Sequence, residues 1–160
     1  MSALILSLAV VVGAVGAASS SHQKQGNSPA RINACTILTP DMVATFATAT
    51  RTKMKTPPSG SPIGVNGSQC DYGGIALHID PFATVSADRM RKTPNKDWVP
   101  VTGVGDAAFF HNVQNVMVEM FVWSGSHHFG ILMDVPAGSA SEQLKPHMIQ
   151  VAKLIVPKLR

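Results

Sequence analysis

The sequence predicts an α+β domain: an antiparallel sheet ending in a C-terminal three-stranded meander, with helices packed on one face. Three observations carry that expectation. Residues 107–135 are dense in β-branched and aromatic residues and are broken twice by turn chemistry, "HNVQN" and "SGS". Helix-start signals stand near residue 39 and near residue 139. Between them Ile75, Leu77 and Ile79 alternate with Ala76 and His78, as in a half-buried strand. With 160 residues, of which 45% are hydrophobic, the chain has material for one core of ordinary size, so a single domain is expected.

The chain opens on "ALILSLAVVVGAVGAA", Ala3 to Ala18, an apolar run ahead of the first charged residue, Lys24. A bilayer-spanning helix needs about 20 apolar residues, so the run is short for an anchor and of signal-peptide length. Val15-Gly16-Ala17 and Gly16-Ala17-Ala18 both supply the small-x-small pattern of a cleavage site, which places the new N-terminus near Ala18 or Ser19. The positively charged start of a standard leader is missing, and retention as an uncleaved anchor is the alternative. No cysteine closes the run, which argues against lipid attachment. The expected organisation is a signal peptide over residues 1–18, a flexible polar linker over 19–34 and one α+β domain over 35–160, in the periplasm or outside the cell.

Cys35 and Cys70 are the only cysteines, and an even count in an exported chain points to one disulfide. A zinc site would need further ligands at metal spacing, and there is no C-x-x-C. A catalytic thiol would be hard to keep reduced outside the cytoplasm.

"ILTPDMVATFATA", Ile37 to Ala49, begins as a helix should: Thr39 at the N-cap, Pro40 at the first helical position and Asp41 in the positive first turn. Leu38 and Val43 stand at the two positions of a hydrophobic staple. "KTPPSGSPIGVNGSQ" is expected to be loop, and "CDYGGIALHID" a strand. "FATVSADRMRK", residues 82–92, has the makings of a short helix with Val85 and Met90 inward, and "TPNKDW" of a loop.

"VTGVGDAAFF" fits the relaxed dinucleotide pattern G-x-G-x-x-A through Gly103, Gly105 and Ala108. That pattern needs a helix opening directly out of the loop to receive the pyrophosphate. The next segment is strand-like instead: Val116, Val118, Met120 and Val122 share one face, and Met117, Glu119, Phe121 and Trp123 the other. The expected strands are Ala107 to His111, Val116 to Trp123 and His127 to Val135. Gly103 and Gly105 then serve a tight turn, with Asp106 capping it through its own backbone, and no nucleotide cofactor is expected.

The last segment, "SASEQLKPHMIQVAKLIVPKLR", carries a capping-box match in Ser139 and Glu142 and an apolar stripe at Leu144, Met148, Val151 and Ile155. Pro146 should kink this helix or delay its regular start.

"CTILTPDMVATF", "GSQCDY" and "VTGVGDAAFF" together resemble the small exported domains of unknown function in actinobacterial lipoproteins, which are related to the extracellular sensor domain of a mycobacterial serine/threonine kinase. The resemblance covers Cys35 to Arg160. It implies that Cys35, ahead of a Leu-Thr helix start, pairs with Cys70 in a following strand, and that the Gly103–Asp106 turn leads into the later strands. It also implies a noncatalytic exported module and supplies no ligand. The chain departs from the lipoproteins in lacking a lipid-acceptor cysteine, and from the kinase sensor in having a single potential disulfide.

Candidates for chemistry are few. His127 and His128 are neighbours in an expected strand, so their side chains should point to opposite faces and not chelate one metal together. A site joining one of them to His78 or His111 across the sheet is the remaining metal option, against partly exposed structural histidines. Nine acidic residues are scattered singly, and nothing pairs a nucleophile with a base. The formal charge of +4 gathers in "RTKMK" (Arg51, Lys53, Lys55) and "RMRK" (Arg89, Arg91, Lys92). Such clusters are solvated faces or sites for anionic envelope components. No aromatic interleaving accompanies them, so nucleic acid is not expected. The sequence therefore points to a noncatalytic binding module of the cell envelope, without metal or cofactor, whose partner is an envelope protein or anionic component. The alternative is a small secreted hydrolase or metal-dependent enzyme.

Overall fold

The structure, a computed structural model, describes residues 31–64, 66–80 and 97–160. The expected signal peptide, the linker as far as residue 30 and the helix expected over 82–92 lie outside the described residues. Among the described residues, no helix is long and apolar enough to cross a membrane.

Asn33 ends the lead-in: its side-chain oxygen accepts the Cys35 N–H at 3.0 Å and starts α1 (Ala34–Ile37), a single turn that the sequence did not announce. α2 (Pro40–Thr50) follows, with Thr39 at the N-cap, Pro40 first and Asp41 in the opening turn. The Thr39 side chain makes no capping bond; its carbonyl accepts the Val43 N–H at 3.2 Å. Leu38 and Val43 are both buried, as a staple requires.

Among the described residues, seven strands form one sheet: β1 (Ser59–Ile63), β2 (Gly67–Asp71), β3 (Ile75–Ile79), β4 (Trp98–Val101), β5 (Ala107–Val113), β6 (Met117–Ser124) and β7 (His127–Asp134). Their order is β1-β2-β3-β7-β6-β5-β4, and every neighbouring pair is antiparallel. The outermost strands, β1 and β4, are short and each carries a proline, Pro62 and Pro100. Register places Phe110, Met120, Ile131, Leu77 and Cys70 in one row across five strands, all essentially inaccessible to solvent. They belong to one buried cluster with Val43 and Phe46 of α2 and with Met148, Val151, Ala152 and Ile155 of α3 (Lys145–Ile155). The helices and sheet thus share a core, and the α+β class holds.

Several boundaries differ from expectation. "KTPPSGSPIGVNGSQ" is not loop throughout but holds β1 and the start of β2. Every residue of β1 is exposed or half-exposed, so it carries no burial alternation to signal a strand. "CDYGGIALHID" is not one strand. Asp71 Oδ1 accepts the Gly73 N–H at 2.6 Å, Gly73 takes φ +85°, and the chain reverses between β2 and β3. Of the loop expected over residues 93–98, 93–96 lie outside the described residues, and Trp98 is not loop but opens β4. Gln114 and Asn115, both left-handed at φ 52° and 59°, make the first hairpin turn, so β5 runs on to Val113 and Val116 falls outside β6. Ser139 and Glu142 do not cap α3: a 3₁₀ turn, Ser141–Gln143, comes first, and Pro146 sits in the first turn of α3. A missing N–H is harmless there, so Pro146 delays the helix rather than kinking it.

Candidate functional site

Cys35 of α1 and Cys70 of β2 are joined, the sulfurs 2.06 Å apart across a sequence separation of 35. The neighbouring polar contacts support the same junction. The Ala34 N–H donates to Ser68 Oγ at 3.0 Å, and Ser68 Oγ donates in turn to the Ile32 carbonyl. Buried Tyr72 donates its hydroxyl to the Leu38 carbonyl at 2.9 Å, and burial raises its ionisation above the ordinary 10.0. A cavity of about 430 Å³ lies beside this junction, edged by Ile32, Asn33, Cys35, Gly60, Pro62 and Gln69.

Gly103 and Gly105 have φ of +75° and +57°, conformations that favour glycine. β5 comes directly after them, so a strand and not a helix opens out of the turn, unlike the dinucleotide-binding geometry. Asp106 acts beyond its own backbone. Its Oδ2 accepts the Gly125 N–H of the β6–β7 hairpin at 2.7 Å, and its Oδ1 accepts from Arg160 at 3.2 Å.

The first basic cluster is held by what lies between its cations. Arg51 ends α2 in the left-handed region, φ 58° and ψ 26°, and Thr52 donates its N–H to the Ala47 carbonyl. Thr52 and Met54 are half-buried, and Met54 packs against the core. Arg51, Lys53 and Lys55 alternate with them and are exposed. The structure therefore brings these three cations to the solvent side of one segment; Arg89, Arg91 and Lys92 lie outside the described residues. Arg51 also borders a second cavity, of about 390 Å³, together with Thr50, Ser139, Gln143, Leu144 and His147. His147 is steadied by an edge contact with Phe46, ring centroids 5.8 Å apart. Gln143 and His147 came from a segment whose only sequence signal was helical periodicity, so nothing marked them as lining residues.

Several titratable groups lie on or beside β3, β5, β6 and β7. His111 Nδ1 lies 3.3 Å from Glu119 Oε2, and its ring stacks on Trp98 with centroids 4.4 Å apart. His127 and His128, neighbours at the start of β7, reach one carboxylate. Asp80, just past β3 and left-handed at φ 46°, accepts from His127 Nδ1 at 2.8 Å and from the His128 N–H at 2.9 Å. The His128 ring nitrogen is also 3.3 Å from the same carboxylate. The two oxygens of one acid thus serve both histidines, while the His128 ring also stacks on Trp123, centroids 6.4 Å apart. Among the described residues, no group of three or more His, Cys, Asp or Glu is placed to hold a metal ion.

Burial lowers the ionisation of His78 below its ordinary 6.5, with Glu119 and Asp71 opposing. Burial also lowers His128, with Asp80 opposing and His127 reinforcing. Between the ordinary value and these lower ones the unfolded chain binds more protons than the folded chain, so stability falls as pH drops below about 6.5. Melting temperature measured from about pH 7.5 to 5 should decline, and His78→Gln should flatten the slope. A melting temperature that rises on acidification would contradict this assignment.

Comparison with protein-family models, with curated proteins and with solved structures finds no match to the chain.

Proposed function

We propose that this is an exported, noncatalytic binding module of the cell envelope, and that the exposed run Arg51, Lys53 and Lys55 is part of its ligand-facing side. The observation that carries the reading is the alternation of that run. Inward-facing Thr52 and Met54 fix the segment, so three cations are presented together instead of waving on a loose tail. The disulfide is the kind of bond an oxidising compartment sustains. The resemblance to exported actinobacterial domains points the same way. In this reading the helices cover one face of the sheet, the last three strands form a meander, and the partner is an anionic envelope component or envelope protein, not a nucleic acid or nucleotide.

The test is retention on isolated envelope material. Binding through exposed cations weakens as the screening length drops from about 10 Å at 0.1 M salt to about 3 Å at 1 M. The parent protein should be retained at low salt and released at high salt. The double reversal Lys53→Glu/Lys55→Glu, at exposed positions, should keep the melting temperature and lose low-salt retention. Retention equal to the parent's would sink the basic-run reading.

A further inference from the structure

Arg51 stands where glycine is the least strained choice. The left-handed position that ends a helix penalises any side chain with a Cβ, and among the described non-glycine residues only Arg51, Asp80, Gln114 and Asn115 have positive φ. Gln114 and Asn115 make the hairpin turn, where the Asn115 N–H bonds to Asn112, and Asp80 uses its carboxylate on the His128 backbone. Arg51 has no comparable local use. Among the described residues no carboxylate forms an ion pair with it. In this backbone conformation Arg51 lines the 390 Å³ cavity.

The other lining groups suit the same kind of guest. Ser139, Gln143 and His147 bring a hydroxyl, an amide and an imidazole, while among the described lining residues Leu144 alone is hydrophobic. Thr50 keeps its hydroxyl turned inward, donating to the Phe46 carbonyl at 3.0 Å and paired with Thr52 Oγ1 at 2.8 Å. Among the described residues, no carboxylate borders the cavity. An arginine beside hydroxyl and amide donors suits an oxyanion, which a guanidinium binds through two parallel hydrogen bonds. The volume lies within the range of about 300–1,000 Å³ typical of small-molecule sites, larger than a bare ion requires.

We propose that this cavity binds a small organic oxyanion, a carboxylate or phosphate group on a compact molecule or chain end, with Arg51 as its cationic anchor and Gln143 as a neutral donor. The proposal rests on the reading of this side as ligand-facing, and it adds a saturable site to what would otherwise be diffuse adhesion.

Calorimetric titration with glycerol 3-phosphate, with lactate and with neutral glycerol, at about 0.15 M salt to screen the surface lysines, tests it. One or both anions should bind saturably and glycerol should not; which anion binds tells phosphate from carboxylate recognition. Arg51→Gly should relieve the left-handed backbone and keep or raise the melting temperature, while weakening anion binding by at least about tenfold. Gln143→Leu, at an exposed position, should weaken it several-fold. Lys53→Glu/Lys55→Glu should leave the affinity within a few-fold even though it abolishes envelope retention, which separates failure of this site from failure of the envelope reading. Absence of saturable anion binding to the parent, or parent-like affinity in Arg51→Gly, would overturn the cavity assignment.

Discussion

Gly105→Val should cost the domain about 2–5 kcal/mol, the sum of a left-handed backbone closed to β-branched residues and an overpacked contact. At φ +57° a Cβ on residue 105 would collide with the Trp123 carbonyl oxygen and lie 2.7 Å from Val122 Cγ1. Neither can move without disturbing β6, because the same Trp123 oxygen accepts the Asp106 N–H at 2.8 Å and Val122 is fully buried. Gly103 supplies the internal control. Its φ is +75° but a Cβ there meets nothing within 4 Å, so Gly103→Val should cost only the backbone share, about 1–2 kcal/mol. Urea unfolding of the two variants checks the difference, and equal losses would refute the crowding argument.

Loss of the Cys35–Cys70 bond should have an effect of similar size. With 35 residues separating the cysteines, the chain-entropy account gives about 4 kcal/mol of stabilisation from constraining the unfolded chain. The double variant Cys35→Ala/Cys70→Ala should therefore unfold at a much lower urea concentration than the oxidised parent. Alanine is the better replacement, because Cys70 is wholly buried and a serine hydroxyl would be desolvated there. Thiol labelling of unfolded, unreduced parent should find no free thiols. An unchanged urea midpoint in the double variant would show that the unfolded chain is not loosened by losing the bond.

What could be read from the sequence was what local chemistry decides. Thr39, Pro40 and Asp41 mark a helix start whatever lies around them, and the alternation from Met117 to Trp123 is a strand period on its face. What could not be read depends on distant pairing. β1 is written in Ser, Gly and Pro and exists because β2 lies beside it, register Gly60 to Cys70. Asp80 was not legible as the meeting point of His127 and His128, since a left-handed residue just past a strand redirects its side chain in a way no periodicity encodes. The second cavity combines the end of α2 with the approach to α3, segments with no common motif. For Arg51, charge alone marked a surface residue, and its strain emerged only with the backbone angle.

The prolines of the two outermost strands bear on how such a domain tolerates crowding. A sheet's rim displays backbone donors and acceptors that another copy can extend, which is how ribbons and fibrils begin. Proline keeps its place in a border strand only where its nitrogen points away from the inner neighbour, so the N–H it lacks is taken from the rim itself. Pro62 in β1 and Pro100 in β4 each delete a donor from a rim strand only five or four residues long. Both margins of the sheet among the described residues are thereby poor templates, and copies packed densely at a surface would remain separate molecules instead of zipping edge to edge.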